Sequence, residues 1–232
     1  MNDRAKTLVM IRALDQAQDF VRELDLDVPV HFAPMVEIAV SKVPLDLSET
    51  PIVLLTSTNA VRVLLDVPDL EHCKAFCVGS QTALAAQAAG LVVLQEFGTA
   101  RQLLDYLRQN HDLAQALIYP RGAQVSLDIG QELRTSGYKI EDPVVYRQNP
   151  IPLSEDAKEF MGQGPVVVPV LSENIAIRLS KALQGTKIYD LTLVPLSDTI
   201  QHRLIQIPNS QAIVPEKPTR AALCETLRSV FE

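Results

Sequence analysis

No stretch of this 232-residue chain approaches the ~18–20 consecutive apolar residues that a bilayer-crossing helix requires. The opening MNDRAKTLVMIR has no apolar core ahead of a small-residue cleavage site, and its apolar stretch reads as a first strand, so export is not expected. Cysteine is scarce. Cys73, Cys77 and Cys224 are an odd number in a chain that is not small, which excludes a disulfide framework and makes a reducing cytoplasm the expected setting. A P-loop, a Gly-x-Gly-x-x-Gly turn and a zinc-type Cys-x-x-Cys pair are all missing. The histidines, His31, His72, His111 and His202, are spread too widely to suggest a metal site or a nucleophile with its base. No metal and no cofactor are therefore expected. The lack of a clustered acidic triad argues against a Mg²⁺-holding receiver protein. Positive charge is short as well: the formal net charge of −7 disfavours nucleic acid or an anionic membrane as partner. An anionic small molecule stays open, because local fields at loop ends can oppose the global one.

What is present is ordinary in composition and unusual in order. Apolar residues at 47% and charged residues at 21% fit a globular protein long enough for two domains. Arg12, Pro34, Ser57-Thr58-Asn59, Gly79 and Thr99 are echoed in sequence by Arg121, Pro143, Ser172-Glu173-Asn174, Ser197 and Thr219. The separation widens slowly along the chain, as loop insertions would make it. Each echoed residue follows a short apolar run and precedes a helix-like stretch, so the repeated unit is strand, polar loop, helix. A duplicated α/β chain has two sets of loops that can serve one binding surface.

The alternation predicts a parallel α/β architecture. Strands are expected at 7–12, 52–55, 75–78, 91–94, 116–119, 166–170, 192–196 and 211–214. Helices are expected at 14–24, 59–65, 82–89, 101–108 and 220–231, with another ending near Ser136. Leucines at 103, 104 and 107 mark one helix face. Pro169 and Pro195 lack the N–H that a central strand uses, so they weaken two of the strands or mark where their ladders stop. Residues 31–38 and 142–148 have no helix partner and begin near matching prolines. They read as a pair of extended linkers between domains, although edge strands would look the same. Cys73 and Cys77 read as buried apolar residues. Ser57, Ser172 and Ser197 suit helix N-caps, whose hydroxyls and neighbouring N–H groups also favour carboxylates.

The ordered set LLTSTNAV (54–61), VGSQTALAAQAAG (78–90), GTARQLLDYL (98–107), YPRG (119–122), VVY (144–146) and KPTRAAL (217–223) resembles the uroporphyrinogen-III synthase family over nearly the whole chain. The resemblance implies two flavodoxin-like parallel-sheet domains related by internal duplication and joined by a two-stranded linker. Domain one would be 1–33 plus 149–232 and domain two 38–142, with linker strands at 34–37 and 143–148. It implies a cofactor-free hydro-lyase of tetrapyrrole (heme and porphyrin) biosynthesis, which closes the linear tetrapyrrole hydroxymethylbilane with inversion of ring D and loss of water. Such an enzyme must direct conformation as much as supply chemistry. A cytoplasmic monomer is expected, with a transient contact to the preceding pathway enzyme.

Residues at carboxyl ends of parallel strands carry the site in such folds. The substrate-binding set is then Arg12, Ser57, Asn59, Gly79, Thr82, Thr99, Arg121, Gly122, Ser172, Ser197, Thr199 and Thr219. The arginines are suited to bidentate carboxylate pairs. Tyr146 is the candidate proton donor to the departing hydroxide, because a phenol is protonated at neutral pH; a tyrosine that anchors the linker strand by packing is the alternative. Three departures from the family pattern stand out. Ala13 replaces a common proline, 171–174 lacks the usual Ser-Pro pair and carries Glu173, and 197–200 adds Asp198. They keep alive a non-catalytic ligand-binding or regulatory homologue.

Overall fold

Runs such as Thr7–Met10, Ile52–Leu55 and Val166–Val170 are covered on both faces, as strands at the centre of a parallel sheet must be. The computed structural model describes residues 5–47, 52–68, 70–110, 112, 114–204, 207 and 209–232, so His111 lies outside the described residues. In chain order the elements are β1 (Thr7–Met10), α1 (Leu14–Leu24), β2 (Val30–Phe32), β3 (Val36–Val40), β4 (Ile52–Leu55), α2 (Thr58–Leu64), β5 (Lys74–Val78), α3 (Ser80–Ala88), β6 (Val92–Phe97), α4 (Ala100–Asn110), β7 (Leu117–Ile118) and β8 (Arg121–Gly122). They continue with α5 (Ile129–Thr135), β9 (Ile140–Glu141), β10 (Val144–Pro150), α6 (Glu155–Gly162), β11 (Pro165–Val170), α7 (Glu173–Ala182), β12 (Asp190–Pro195), α8 (Asp198–Gln201), β13 (Ser210–Ala212) and α9 (Arg220–Phe231).

The chain divides into two units, Met1–Glu37 with Pro150–Glu232, and Ile38–Asn149. The first holds a parallel sheet of order β13-β12-β11-β1-β2, the second a parallel sheet of order β6-β5-β4-β7-β9. Counted within the sequence repeat, each sheet takes the first two strands of one copy and the last three of the other. Both then run second, first, third, fourth, fifth, the flavodoxin-like order. The switch in direction falls between β1 and β11 in one sheet and between β7 and β4 in the other.

Alternation along the strands supplies both faces. In the first unit Val9, Ile11, Val166, Val168 and Val170 pack with Ala157, Met161, Ala176 and Leu179 of α6 and α7. Leu8, Met10 and Val167 face the other way, onto Phe20 and Leu24 of α1 and Leu223 and Leu227 of α9. In the second unit Val53, Leu55, Ala75 and Cys77 face α2 and α3, while Ile52, Leu54, Phe76 and Tyr119 face Leu103, Leu104 and Leu107 of α4 and Leu133 of α5. Cys73, Cys77 and Cys224 are buried.

The segments expected as linkers divide at their prolines. Residues 31–32 of the first segment belong to the edge strand β2 (Val30–Phe32) of the first sheet, whereas the second segment, 142–148, begins just after the edge strand β9 (Ile140–Glu141) of the second sheet and runs into β10. Beyond Pro34 and Pro143, β3 and β10 join β8 in a separate three-stranded sheet of order β3-β10-β8. A proline cannot donate to a ladder, so the chain leaves one sheet there and enters another. Pro169 is accommodated because the register of β1 with β11 reaches only Val167, while β12 pairs alongside it as Pro169↔Val194 and Val170↔Pro195. The His31 ring stacks on Phe160 with centroids 4.2 Å apart, a packing role.

Candidate functional site

In the second unit the switch point is bridged by hydroxyls. Thr56 follows β4, Tyr119 follows β7, and their side-chain oxygens lie 3.1 Å apart. Tyr119 is 1% exposed. Burial raises its phenol above the ordinary value; the Thr56 hydrogen bond and the Arg121 charge pull the other way and lose, with Tyr146 adding to the rise. Tyr119 is thus held as a protonated O–H beside the switch point.

Two residues on, Arg121 and Gly122 form β8, which pairs in parallel with β10 at Val144↔Arg121 and Tyr146↔Gly122. The ring of Tyr146 lies directly on Gly122: a Cβ there would sit 2.8 Å from Cζ and 2.9 Å from the hydroxyl. Glycine is therefore the residue that admits the phenol. Tyr146 is only 6% exposed and joins the core cluster of α2 and α3. The packing role weighed in the sequence is real, and it fixes the ring beside Arg121.

Arg121 is itself held. Its Nε donates to Asp142 Oδ2 at 3.0 Å and its Nη1 to the Gly122 carbonyl at 3.3 Å. Asp142 also accepts from Arg134 Nη1 at 2.5 Å. Burial alone would raise the Asp142 carboxyl, yet the bonds from Arg134 and Arg121 outweigh it and hold the group below the usual carboxylate range.

In the first unit Arg12 follows β1 and donates through Nη2 to Gln16 Oε1 at 3.1 Å. Burial, and then the charge of Arg220, push its guanidinium down to about 10, still protonated at neutral pH. Arg220 opens α9, lies 5.0 Å over the Phe20 ring and pairs with Glu23 at 2.6 Å. Gln16, Phe20 and Glu23 share one face of α1 by their spacing, so that face carries both arginines. Of the two cations, Arg220 is paired with Glu23, while Arg12 is bonded to the neutral Gln16.

The hydroxyl loops sit at carboxyl ends of strands in both units, and several are engaged by their helices. Ser57 accepts from Asn59 N at 3.2 Å, Ser197 from Ile200 N at 3.4 Å and Thr219 from Ala222 N at 3.3 Å. Thr99 and Gln102 form a reciprocal capping box with bonds of 3.2 and 3.1 Å. Ser172 occupies the N-cap position of α7 but makes no side-chain cap bond, unlike the cap expected there. Gly79 stands at the N-cap of α3, and Thr199 lies in the first turn of α8. Asn59 and Thr82 are buried, 2% and 5% exposed, in the first turns of α2 and α3. Glu173, which the sequence places as an unwelcome carboxylate, is met by Arg203 Nε at 2.8 Å.

Sequence reasoning passed over Thr56, Tyr119, Gly130, Arg134, Asp142 and Arg220. Asp142 had one available signal, its place beside the repeated Pro143. Among the described residues no group of three or more His, Cys, Asp or Glu side chains could hold a metal ion, and no helix is long and apolar enough to cross a membrane.

A family model described as HEM4, uroporphyrinogen-III synthase HemD, matches residues 21–225. No curated protein matches the chain. Among solved structures, uroporphyrinogen-III synthetase from Helicobacter pylori is 17% identical with a TM-score of 0.61, and the match covers 97% of this chain and 99% of that one. A mutant uroporphyrinogen III synthase from the extremely thermophilic bacterium Thermus thermophilus is 16% identical with a TM-score of 0.54, over 97% and 98% of the two chains. At such identities the likeness speaks for the fold.

Proposed function

The chain belongs to the uroporphyrinogen-III synthase family, and from that premise we propose that it cyclises hydroxymethylbilane to uroporphyrinogen III, inverting ring D and releasing water. In this reading the hydroxymethyl end loses its hydroxide, the substituted end of ring D attacks the carbon left behind, and a spiro intermediate forms. That intermediate then reopens and closes with ring D inverted. Tyr146 supplies the proton that turns the departing hydroxide into water, and its phenolate is reprotonated by the proton that ring D's bond-forming carbon loses when the macrocycle closes. Arg12 and Arg121 take substrate carboxylates, and the loops at Ser57, Gly79, Thr99, Ser172, Ser197, Thr199 and Thr219 offer hydroxyls and N–H groups to the rest.

The observation that supports this most is the seating of the Tyr146 phenol on Gly122, next to an oriented Arg121. In this reading the proton donor and the carboxylate-binding cation lie on the paired strands β10 and β8. Preorganisation of that kind is what a reaction limited by conformation requires. The enzyme is expected to act in the cytoplasm as a monomer, without a cofactor.

Freshly made hydroxymethylbilane gives the test. Uroporphyrinogen III should form faster than the uninverted isomer that arises spontaneously, and Tyr146→Phe should lower turnover while leaving the fold intact. Spontaneous isomer alone would leave the non-catalytic ligand-binding alternative. An unchanged rate constant in Tyr146→Phe would remove that residue as donor.

A further inference from the structure

We propose that Asp142 is a positioning residue that aims the Arg121 guanidinium at a substrate carboxylate and sets its register with Tyr146; this rests on the functional reading above. Asp142 is 15% exposed and lies just before β10. Its Oδ2 takes Arg121 Nε at 3.0 Å, and Arg134 reaches both of its oxygens, at 2.5 and 3.4 Å. Helix α5 is shaped to receive this carboxylate. A Cβ on Gly130 would come within 2.5 Å of Oδ2 and 2.7 Å of Cγ, and one turn later Arg134 presents its cation to the same group.

The consequence for Arg121 is specific. Nε is committed to Asp142 and Nη1 to the Gly122 carbonyl, while Nη2 has no hydrogen-bond partner among the described residues. Arg121 therefore offers a carboxylate one end of its fork in one direction. Two guanidiniums share this one carboxylate, with Asp128 close enough to act on Arg134, so the free end of Arg121 is the cationic donor left for an anion. The same segment holds Tyr146: Arg121 N–H donates to the Pro143 carbonyl at 3.0 Å and Ala123 N–H to the Tyr146 carbonyl at 2.9 Å. Asp142 at one end and Tyr146 at the other thus clasp the Arg121-Gly122 pair.

Steady-state kinetics on hydroxymethylbilane with Asp142→Asn, Arg134→Gln and Arg121→Gln separate this role from a structural one. Asp142→Asn releases the guanidinium and raises the local charge, so kcat should fall about tenfold while KM does not rise. Arg134→Gln keeps the Asp142–Arg121 bond and removes one positive charge, so KM should rise several-fold with kcat held. Opposite behaviour of the two variants supports the proposal. Equal losses that track the fraction of folded protein, or a flat Asp142→Asn with an impaired Arg121→Gln, overturn it. Should Asp142→Asn fail to fold, Gly130→Ala displaces the carboxylate with every charge retained, and kcat must fall at constant KM. Wild-type inactivity on hydroxymethylbilane sinks the functional reading itself. An active wild type with a silent Asp142→Asn sinks only this inference.

Discussion

The Tyr146 ring fills the space that a side chain at residue 122 would need, with Cζ 2.8 Å from the position of the missing Cβ. Gly122→Ala should therefore expel the ring from its seat and destabilise the chain by about 1–3 kcal/mol. Urea unfolding of Gly122→Ala in wild-type and Tyr146→Ala backgrounds checks this, because the penalty should largely vanish once the ring is gone.

Asp142 makes stability sensitive to acid. Its folded-state carboxyl titrates below the ordinary 3.8, so the folded form keeps its charge to lower pH than the unfolded form does. The resulting stabilisation is complete above 3.8 and is lost as pH falls through the depressed value. Unfolding midpoints measured from about pH 5 downward should decline more steeply in wild type than in Asp142→Asn. Parallel curves would mean that the two arginines do not act on this carboxylate.

The capping hydroxyls predict a split among similar substitutions. Ser57→Ala, Ser197→Ala and Thr219→Ala each remove a bond to a helix N-terminus and should cost about 0.5–2 kcal/mol of stability. Ser172 makes no such bond, so Ser172→Ala should leave the thermal midpoint nearly unchanged and raise KM if its hydroxyl meets substrate. A large loss of stability in Ser172→Ala would contradict the geometry.

Tyr119→Phe removes the partner of Thr56 in a buried place and should cost about 0.5–1.5 kcal/mol. In the wild type, ultraviolet titration should show the Tyr119 phenol ionising above the ordinary tyrosine value, a contribution that Tyr119→Phe should remove.

Much of the fold was legible because strand and loop alternate on a short scale. The apolar run at 7–12 and the leucines of 101–108 became β1 and the buried face of α4, and residues 220–231 became α9. The repeat also placed Arg12, Ser57 and Ser172 on loops after strands, whereas Arg121, expected in a loop, lies in the short strand β8. It could not show that each sheet borrows strands from both copies, since pairing between distant segments leaves no local mark. The prolines at 34 and 143 were seen, but which side of each belongs to which sheet depends on the ladder. Asp142 and Gly130 escaped notice because their meaning is mutual: one carboxylate and one absent methyl, distant in sequence, that matter only when α5 lies against the end of β9.

The exchange of strands between copies has a consequence for how the chain comes into being. Strands β1 and β2 leave the ribosome well before their sheet partners β11, β12 and β13, which are encoded beyond residue 164. The whole of Ile38–Asn149 can close its own sheet in the meantime. Although β1 and β2 can pair with each other, the β11-facing edge of β1 must therefore wait open until the later strands are made, which exposes an apolar edge to aggregation and to chaperone capture in the interval.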